Sequence, residues 1–309
     1  MDKINLENLE IDCYHLYQDK GNFNFGIDAV LLANFALRES NITKAVDTAS
    51  HSVRVNSTSP IKICDLCSGT LPIPLIIYAK SHMDEHCEPT PRRGELCARS
   101  LTKRACRAKC DKVPLGCEPS LHIDAFEIDK DQTKLSQKSV LWNKENVPQA
   151  KNIDQDINVY NEDIKNIFLD REKYKNLYES YDLVTVNPPY NKKGSGLVNI
   201  NDKVISARHE ILVTFDDVCH AANLLLKSKK RLYFINQTSR FTEIVTTLKK
   251  YSFEMKKVAF VHPYVNKPSN LFLAEAVKSG REGVKVLEPI IIYEKGGSYT
   301  EKVLKIYGK

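Results

Sequence analysis

The order of hydrophobic and polar positions along the chain predicts short apolar strands that alternate with helices. Apolar runs predict strands at 61–66, 121–128, 158–163, 181–186, 231–235, 256–261 and 289–293. Longer segments with apolar positions three or four apart, or apolar throughout, predict helices at 28–37, 72–79, 130–143, 206–226 and 240–251. Such alternation favours an α/β fold with a seven-stranded, mostly parallel sheet and helices on both faces.

The first predicted helix is almost entirely apolar, so we expect it to be buried. Asp28 precedes the apolar run 29–37 and is predicted to cap the helix, because a carboxylate accepts from free backbone N–H groups. Pro72 and Pro74 suit the first turn of the next helix, where N–H groups lack partners.

The predicted domain organisation has one large domain and two foreign segments. Residues 1–43 form an N-terminal cap with the buried helix, and the Ser/Thr/Val-rich stretch 44–60 is expected to be a surface loop. The main domain covers 61–309 and is interrupted at 81–121 by a segment with five cysteines and an Arg-rich centre.

Composition excludes several classes of protein. Apolar residues are 42% of 309, no run approaches the length of a membrane span, and residues 1–5 show no apolar leader. Collagen, coiled coils and small disulfide scaffolds are also excluded. The nine cysteines are then expected to be reduced, in a cytoplasmic protein with no membrane partner.

The centre of the segment 81–121, a segment called the insert below, accounts for the whole net positive charge of the chain. Residues 92–112 hold eight Lys/Arg and two Asp/Glu, which equals the formal net charge of +6. We favour a loop with free thiols. The alternatives are an arm that contacts RNA phosphates, or a zinc site, for which only the Cys-x₃-Cys pair has metal-ligand spacing. The zinc candidates are Cys97, Cys106, Cys110 and Cys117.

Polar groups follow four successive predicted strands. They are Asp65–Thr70, Glu127, Asp163 and Asn187–Tyr190. In an open α/β sheet, ligands bind at the carboxyl ends of the strands, so these groups predict one site. Glu127 can accept hydrogen bonds from both hydroxyl groups of a ribose, and Asp163 can accept one from the exocyclic amine of an adenine. The two acids therefore suit an adenosine-bearing cofactor. Each acid alone would otherwise be a solvated loop carboxylate.

The sequence Asn187-Pro188-Pro189-Tyr190 carries the most specific chemistry. Proline keeps Asn187 extended, and two prolines leave carbonyls rather than N–H groups at the turn. The Asn187 side-chain oxygen and the Pro188 carbonyl can accept hydrogen bonds from both hydrogens of a planar amine. Tyr190 can stack on the flat group that carries this amine. A stiffened strand end with a packed tyrosine is the structural alternative.

These motifs resemble the Rossmann-type, class I methyltransferases that use S-adenosylmethionine to methylate amino groups. The stretch Phe25–Ala36, the sequence Ala207–Glu210 and the late Pro289–Tyr293 resemble one bacterial family more closely. That family methylates N6 of the adenosine 3′ of the anticodon in valine tRNA. The resemblance extends over nearly the whole chain except 44–60 and 81–121, and it implies a monomeric enzyme that acts on tRNA.

The resemblance also implies roles for particular residues. The implied cofactor contacts are Asp28, Asp65, Ser68, Gly69, Glu127, Asp163 and Asn187. The implied catalytic motif, which would hold the target adenine, is Asn187, Pro188, Pro189 and Tyr190. Arg208 and His209 would position the tRNA, or else lie on an exposed helix face.

One departure from the family concerns the turn after the first strand of the main domain. Cys67 and Leu71 stand where the family has glycines, and a need for positive φ there would weaken or abolish cofactor binding. A non-catalytic RNA-binding module therefore stays open. So do a protein glutamine methyltransferase, whose N-terminal helical domain does not fit in 60 residues, and a DNA adenine methyltransferase, for which no target-recognition domain is evident.

Overall fold

The structure is a computed structural model that describes residues 4–11, 13–19, 26–40, 42, 60–82, 121–188 and 213–309. The predicted loop 44–60 and the insert 81–121, except at their ends, lie outside the described residues. So do Pro189, Tyr190, Arg208, His209 and the four zinc candidates.

A central nine-stranded sheet organises the described part of the chain. A two-stranded antiparallel hairpin precedes it, formed by β1 (Ile4–Asn8) and β2 (His15–Asp19). The sheet strands are β3 (Ile61–Leu66), β4 (Leu121–Glu127), β5 (Ile157–Asn161), β6 (Tyr181–Val186), β7 (Leu226–Gln237), β8 (Phe253–His262), β9 (Leu271–Lys278), β10 (Lys285–Val286) and β11 (Ile290–Ile291). Their order is β10-β8-β9-β7-β6-β3-β4-β5, and β11 also pairs with β8. Strand β9 is antiparallel to both neighbours, and every other pairing in this sheet is parallel.

Helices cover both faces of this sheet. The described helices are α1 (Ile27–Ser40), α2 (Pro72–Ser81), α3 (Lys130–Asn146), α4 (Ile153–Asp156), α5 (Asn166–Leu169), α6 (Arg171–Tyr174), α7 (Phe215–Leu225), α8 (Phe241–Lys250) and α9 (Glu301–Ile306). Short 3₁₀ turns lie at Pro148–Ala150, Lys175–Leu177 and Thr238–Arg240.

Two apolar layers form because successive strand residues point to opposite faces. Along β7, Leu232 and Phe234 enter the layer under α7 and α8, whereas Tyr233 and Ile235 enter the layer under α1 and α2. Helix α1 is buried along most of its length, and α2 begins at Pro72, as predicted. The predicted α/β fold with a mostly parallel sheet is therefore confirmed.

Three details differ from the sequence predictions. The seventh long strand is β9, which was not predicted, and the predicted strand 289–293 contributes only the two-residue β11. The hairpin was also not predicted. Helix α1 begins at Ile27, so Asp28 lies inside its first turn rather than at the cap, and its carboxylate instead accepts from a distant side chain.

Candidate functional site

The carboxyl ends of β3, β4, β5 and β6 lie side by side at one edge of the sheet, because these strands are parallel neighbours. The turn from β3 into α2 crosses this edge. Ser68 N donates to the carbonyl of Phe126 at the end of β4 (3.0 Å), and Leu71 N donates to the Ser68 carbonyl (2.9 Å). The turn is thereby held against the neighbouring strand.

Three residues of this turn adopt the left-handed conformation. The φ angles are 58° at Cys67, 56° at Gly69 and 78° at Leu71. Glycine adopts such angles without strain, whereas a side chain brings its Cβ too close to the backbone, at a cost of roughly 1–2 kcal/mol per residue. Cys67 and Leu71, the two residues singled out in the sequence of this turn, therefore both have positive φ.

Asp65, the last residue but one of β3, is a buried carboxyl group at 1% exposure. Thr185 Oγ1, its register partner on β6, donates to Asp65 Oδ1 at 2.5 Å. The other oxygen, Asp65 Oδ2, and the nearby Ser68 Oγ are buried without a hydrogen-bond partner among the described residues. Burial raises the pKa of Asp65 to about 8, and the Glu127 charge adds to the rise while the Thr185 hydrogen bond opposes it.

Glu127, at the end of β4, ties two backbone turns together. Its Oε2 accepts from Gly69 N and its Oε1 from Asp129 N, both at 2.8 Å. Ser136 on α3 donates to the Gly69 carbonyl at 2.9 Å. Glu127 is 5% exposed. The turn after β3, the end of β4 and the start of α3 therefore form one hydrogen-bonded unit around its carboxylate.

Asp163, just beyond β5, is partly exposed. Its Oδ1 accepts from Lys165 N at 2.9 Å, and Lys165 Nζ lies 3.4 Å from Oδ2. The carboxylate is held by its own loop and its side chain is 23% exposed, which suits an acceptor for a bound polar group.

The Cys67 side chain lies close to these acids. Burial is the largest cause that raises the pKa of the Cys67 thiol well above its usual value, and Glu127, Asp65 and Asp163 add to it through their charges. The thiol is therefore neutral. Its side chain packs against the apolar layer under α7 and α8.

Asn187 follows β6 directly, next to the β3 turn. Its Nδ2 donates to Asp28 Oδ2 at 3.0 Å, across 159 positions of sequence. Pro188 is buried and Asn187 partly buried. The structure thus brings together Asp28, Asp65, Ser68, Gly69, Glu127, Asp163, Asn187 and Pro188 at one edge of the sheet.

Sequence reasoning missed Thr185. Its hydroxyl anchors Asp65 from inside the apolar strand 181–186, where a polar residue beside a strand-end acid was the available indication. Among the residues that the structure describes, no cluster of His, Cys, Asp and Glu is suited to hold a metal ion, and no helix is long and apolar enough to cross a bilayer.

No protein-family model and no curated protein matches the chain. Solved structures match its fold. One, described as a predicted O-methyltransferase from Agrobacterium tumefaciens, aligns with a TM-score of 0.56 and 17% identity over 91% of this chain and 95% of that one. Another, TYW2 of Pyrococcus horikoshii in complex with MeSAdo, aligns with a TM-score of 0.47 and 11% identity over 91% and 73%.

At such low identity the likeness to the Agrobacterium tumefaciens structure concerns the fold alone. The central strand order is β5-β4-β3-β6-β7-β9-β8, and only β9 is reversed. The chain therefore has the Rossmann-like fold of class I methyltransferases.

Proposed function

We propose that this protein transfers a methyl group from S-adenosylmethionine to N6 of an adenosine in tRNA, the adenosine 3′ of the anticodon in valine tRNA. The observation that carries the proposal is the position of Asn187 and Pro188 directly beside the β3 turn, at the ligand-binding edge of a class I methyltransferase fold. The sequence resemblance supplies the substrate.

The side chains around the β3 turn fit the cofactor. Asp65 Oδ2 and Ser68 Oγ are buried acceptors that need partners, and the ammonium group of S-adenosylmethionine would supply donors to them. Glu127 and Asp163 would accept from the ribose and the adenine. The fit is incomplete at Cys67 and Leu71, where side chains stand at the glycine positions of the family that the sequence resembles.

The proposed mechanism needs little acid–base chemistry. When bound, S-adenosylmethionine would supply a sulfonium methyl group, whose transfer to nitrogen would release a neutral thioether. Asn187 Oδ1 and the Pro188 carbonyl would accept hydrogen bonds from the two amine hydrogens and so direct the nitrogen lone pair toward the methyl carbon. This alignment lowers the barrier, and one proton then passes to solvent.

One observation favours a second candidate, a non-catalytic RNA-binding module. The strained conformations at Cys67 and Leu71 occur in the turn that would hold the cofactor. Such a protein would bind RNA but not S-adenosylmethionine.

The test is methyl transfer with labelled S-adenosylmethionine to bulk tRNA, to DNA and to a protein release factor, in parallel with calorimetry of cofactor binding. Label in tRNA as N6-methyladenosine supports the proposal. Label only in protein or only in DNA overturns it, and cofactor binding that is undetectable at millimolar concentration supports the non-catalytic module instead.

The residue test is Asn187→Ala. Transfer should fall below detection while the cofactor Kd changes by less than about threefold, because the lost acceptor contacts the target amine. Asn176→Ala is the matched control, since Asn176 is exposed before the start of β6, at the opposite edge of the sheet. Unchanged turnover in Asn187→Ala would refute the assigned role.

A further inference from the structure

The contact between Asp28 and Asn187 determines which way the Asn187 amide points. Asn187 Nδ2 donates to Asp28 Oδ2 at 3.0 Å, so the amide NH₂ faces the Asp28 side chain. The amide oxygen, on the opposite branch of the same planar group, is then directed away from Asp28. Asp28 is 7% exposed in the first turn of α1, so its carboxylate is held by packed structure.

Gly26 makes room for this carboxylate. A Cβ on Gly26 would lie 2.6 Å from Asp28 Oδ1, closer than carbon and oxygen can approach, and 3.6 Å from Asp28 Cγ. Its φ angle is not in the left-handed region, so backbone freedom is not the reason for glycine here. The absence of a side chain at position 26 lets the carboxylate sit where it meets Asn187.

We infer that Asp28 is a positioning residue for Asn187 rather than a cofactor ligand, and that it makes the site selective for nucleophiles that carry N–H hydrogens. An amide oxygen fixed as an acceptor binds an exocyclic amine. It repels the lone pair of an unprotonated ring nitrogen, which would need a donor instead. This inference rests on the proposed function and explains why an amine, not a ring nitrogen, is methylated.

The test compares Asp28→Ala, Asp28→Asn and Gly26→Ala with the unmodified protein by kcat, KM for tRNA and cofactor Kd. Asp28→Ala should lower kcat about 100-fold, as expected for a displaced orienting group, with the cofactor Kd within about twofold. Asp28→Asn should recover part of kcat, because an asparagine oxygen can accept the same hydrogen bond.

Gly26→Ala removes no polar atom and still displaces the carboxylate, so it should also lower kcat. Gly296→Ala is the matched control, because a Cβ there meets nothing within 4 Å and the φ angle is not positive. Since only the tip of the Asp28 side chain obstructs a Cβ at position 26, Gly26→Ala should fold, as thermal unfolding would verify.

A second measurement does not depend on activity. In ¹⁵N-labelled protein, the side-chain NH₂ of Asn187, assigned by its loss in Asn187→Ala, should exchange slowly with solvent and should exchange faster in Asp28→Ala and in Gly26→Ala. Unchanged exchange overturns the proposed orientation.

The outcomes separate the two proposals. Full kcat in Asp28→Ala beside an active unmodified protein overturns the inference alone, and so does a tenfold weaker cofactor Kd with unchanged kcat, which would make Asp28 a cofactor ligand. If the unmodified protein transfers no methyl group to RNA, the proposed function fails. The exchange measurement then still decides whether Asp28 orients Asn187.

Discussion

Replacing Cys67 by glycine should stabilise the folded protein, in contrast to most substitutions. Cys67 has a φ of 58° in the β3 turn. The left-handed conformation costs a residue with a Cβ roughly 1–2 kcal/mol. Glycine removes this strain but gives the unfolded chain more freedom, which costs about 0.5–1 kcal/mol. The free energy of unfolding should therefore rise in Cys67→Gly, by up to about 1.5 kcal/mol.

The matched control is Cys67→Ala, which removes the sulfur but keeps the Cβ and its strain. Urea unfolding of the two variants should show a higher midpoint for Cys67→Gly than for Cys67→Ala, with equal slopes. Calorimetry should show that both variants bind S-adenosylmethionine more tightly than the unmodified protein, because both remove the sulfur from a turn close enough to Asp65 and Glu127 for their charges to raise the thiol pKa.

Leu71 is the wrong position for this test. It shares the left-handed conformation, but its side chain is fully buried. Leu71→Gly would lose about 2–5 kcal/mol of packing, which would hide the relief of strain. If Cys67→Gly is no more stable than Cys67→Ala, then the φ angle at this turn does not carry the strain we assign to it.

Further predictions concern two buried acids. Because burial raises the pKa of Asp65 to about 8, the folded protein holds this carboxyl protonated at neutral pH. The ammonium group of the cofactor favours the ionised form of Asp65, so the affinity for S-adenosylmethionine should rise from about pH 6 to pH 8. Calorimetry in two buffers should detect the release of a proton on binding, and Asp65→Asn should abolish the pH dependence of the affinity. The same raised pKa makes the free energy of unfolding fall as pH rises from about 4 toward 8, a slope that urea titrations of Asp65→Asn should lack. Glu275 is 3% exposed and accepts from Tyr233 Oη (2.7 Å) and Lys257 Nζ (3.1 Å). Glu275→Ala should therefore cost about 3–5 kcal/mol of unfolding free energy, with a smaller loss for Glu275→Gln, which keeps an acceptor oxygen; no loss at all in Glu275→Gln would show that the negative charge is unimportant.

Local patterns were sufficient where an element's own residues decide its conformation. The apolar runs of β3, β4, β5 and β6 and the paired prolines at the start of α2 predicted these elements correctly. Strand β9 shows where such patterns fail. Its sequence, Leu271–Lys278, is rich in Leu, Ala, Glu and Lys, which favour helices, and pairing with β7 and β8 on both sides overrides that preference.

The candidate site also has features that the sequence predicts and features that only the tertiary structure shows. Parallel strands end at one edge of a sheet, so the chain order of Asp65, Glu127, Asp163 and Asn187 was enough to predict that they belong to one site. The sequence also marked Cys67 and Leu71 as departures, but φ angles depend on how the turn is held against β4, so only the tertiary structure shows that both are strained. Likewise, no local pattern relates Asp28 to Asn187, because a hydrogen bond across 159 positions exists only after α1 packs on the sheet.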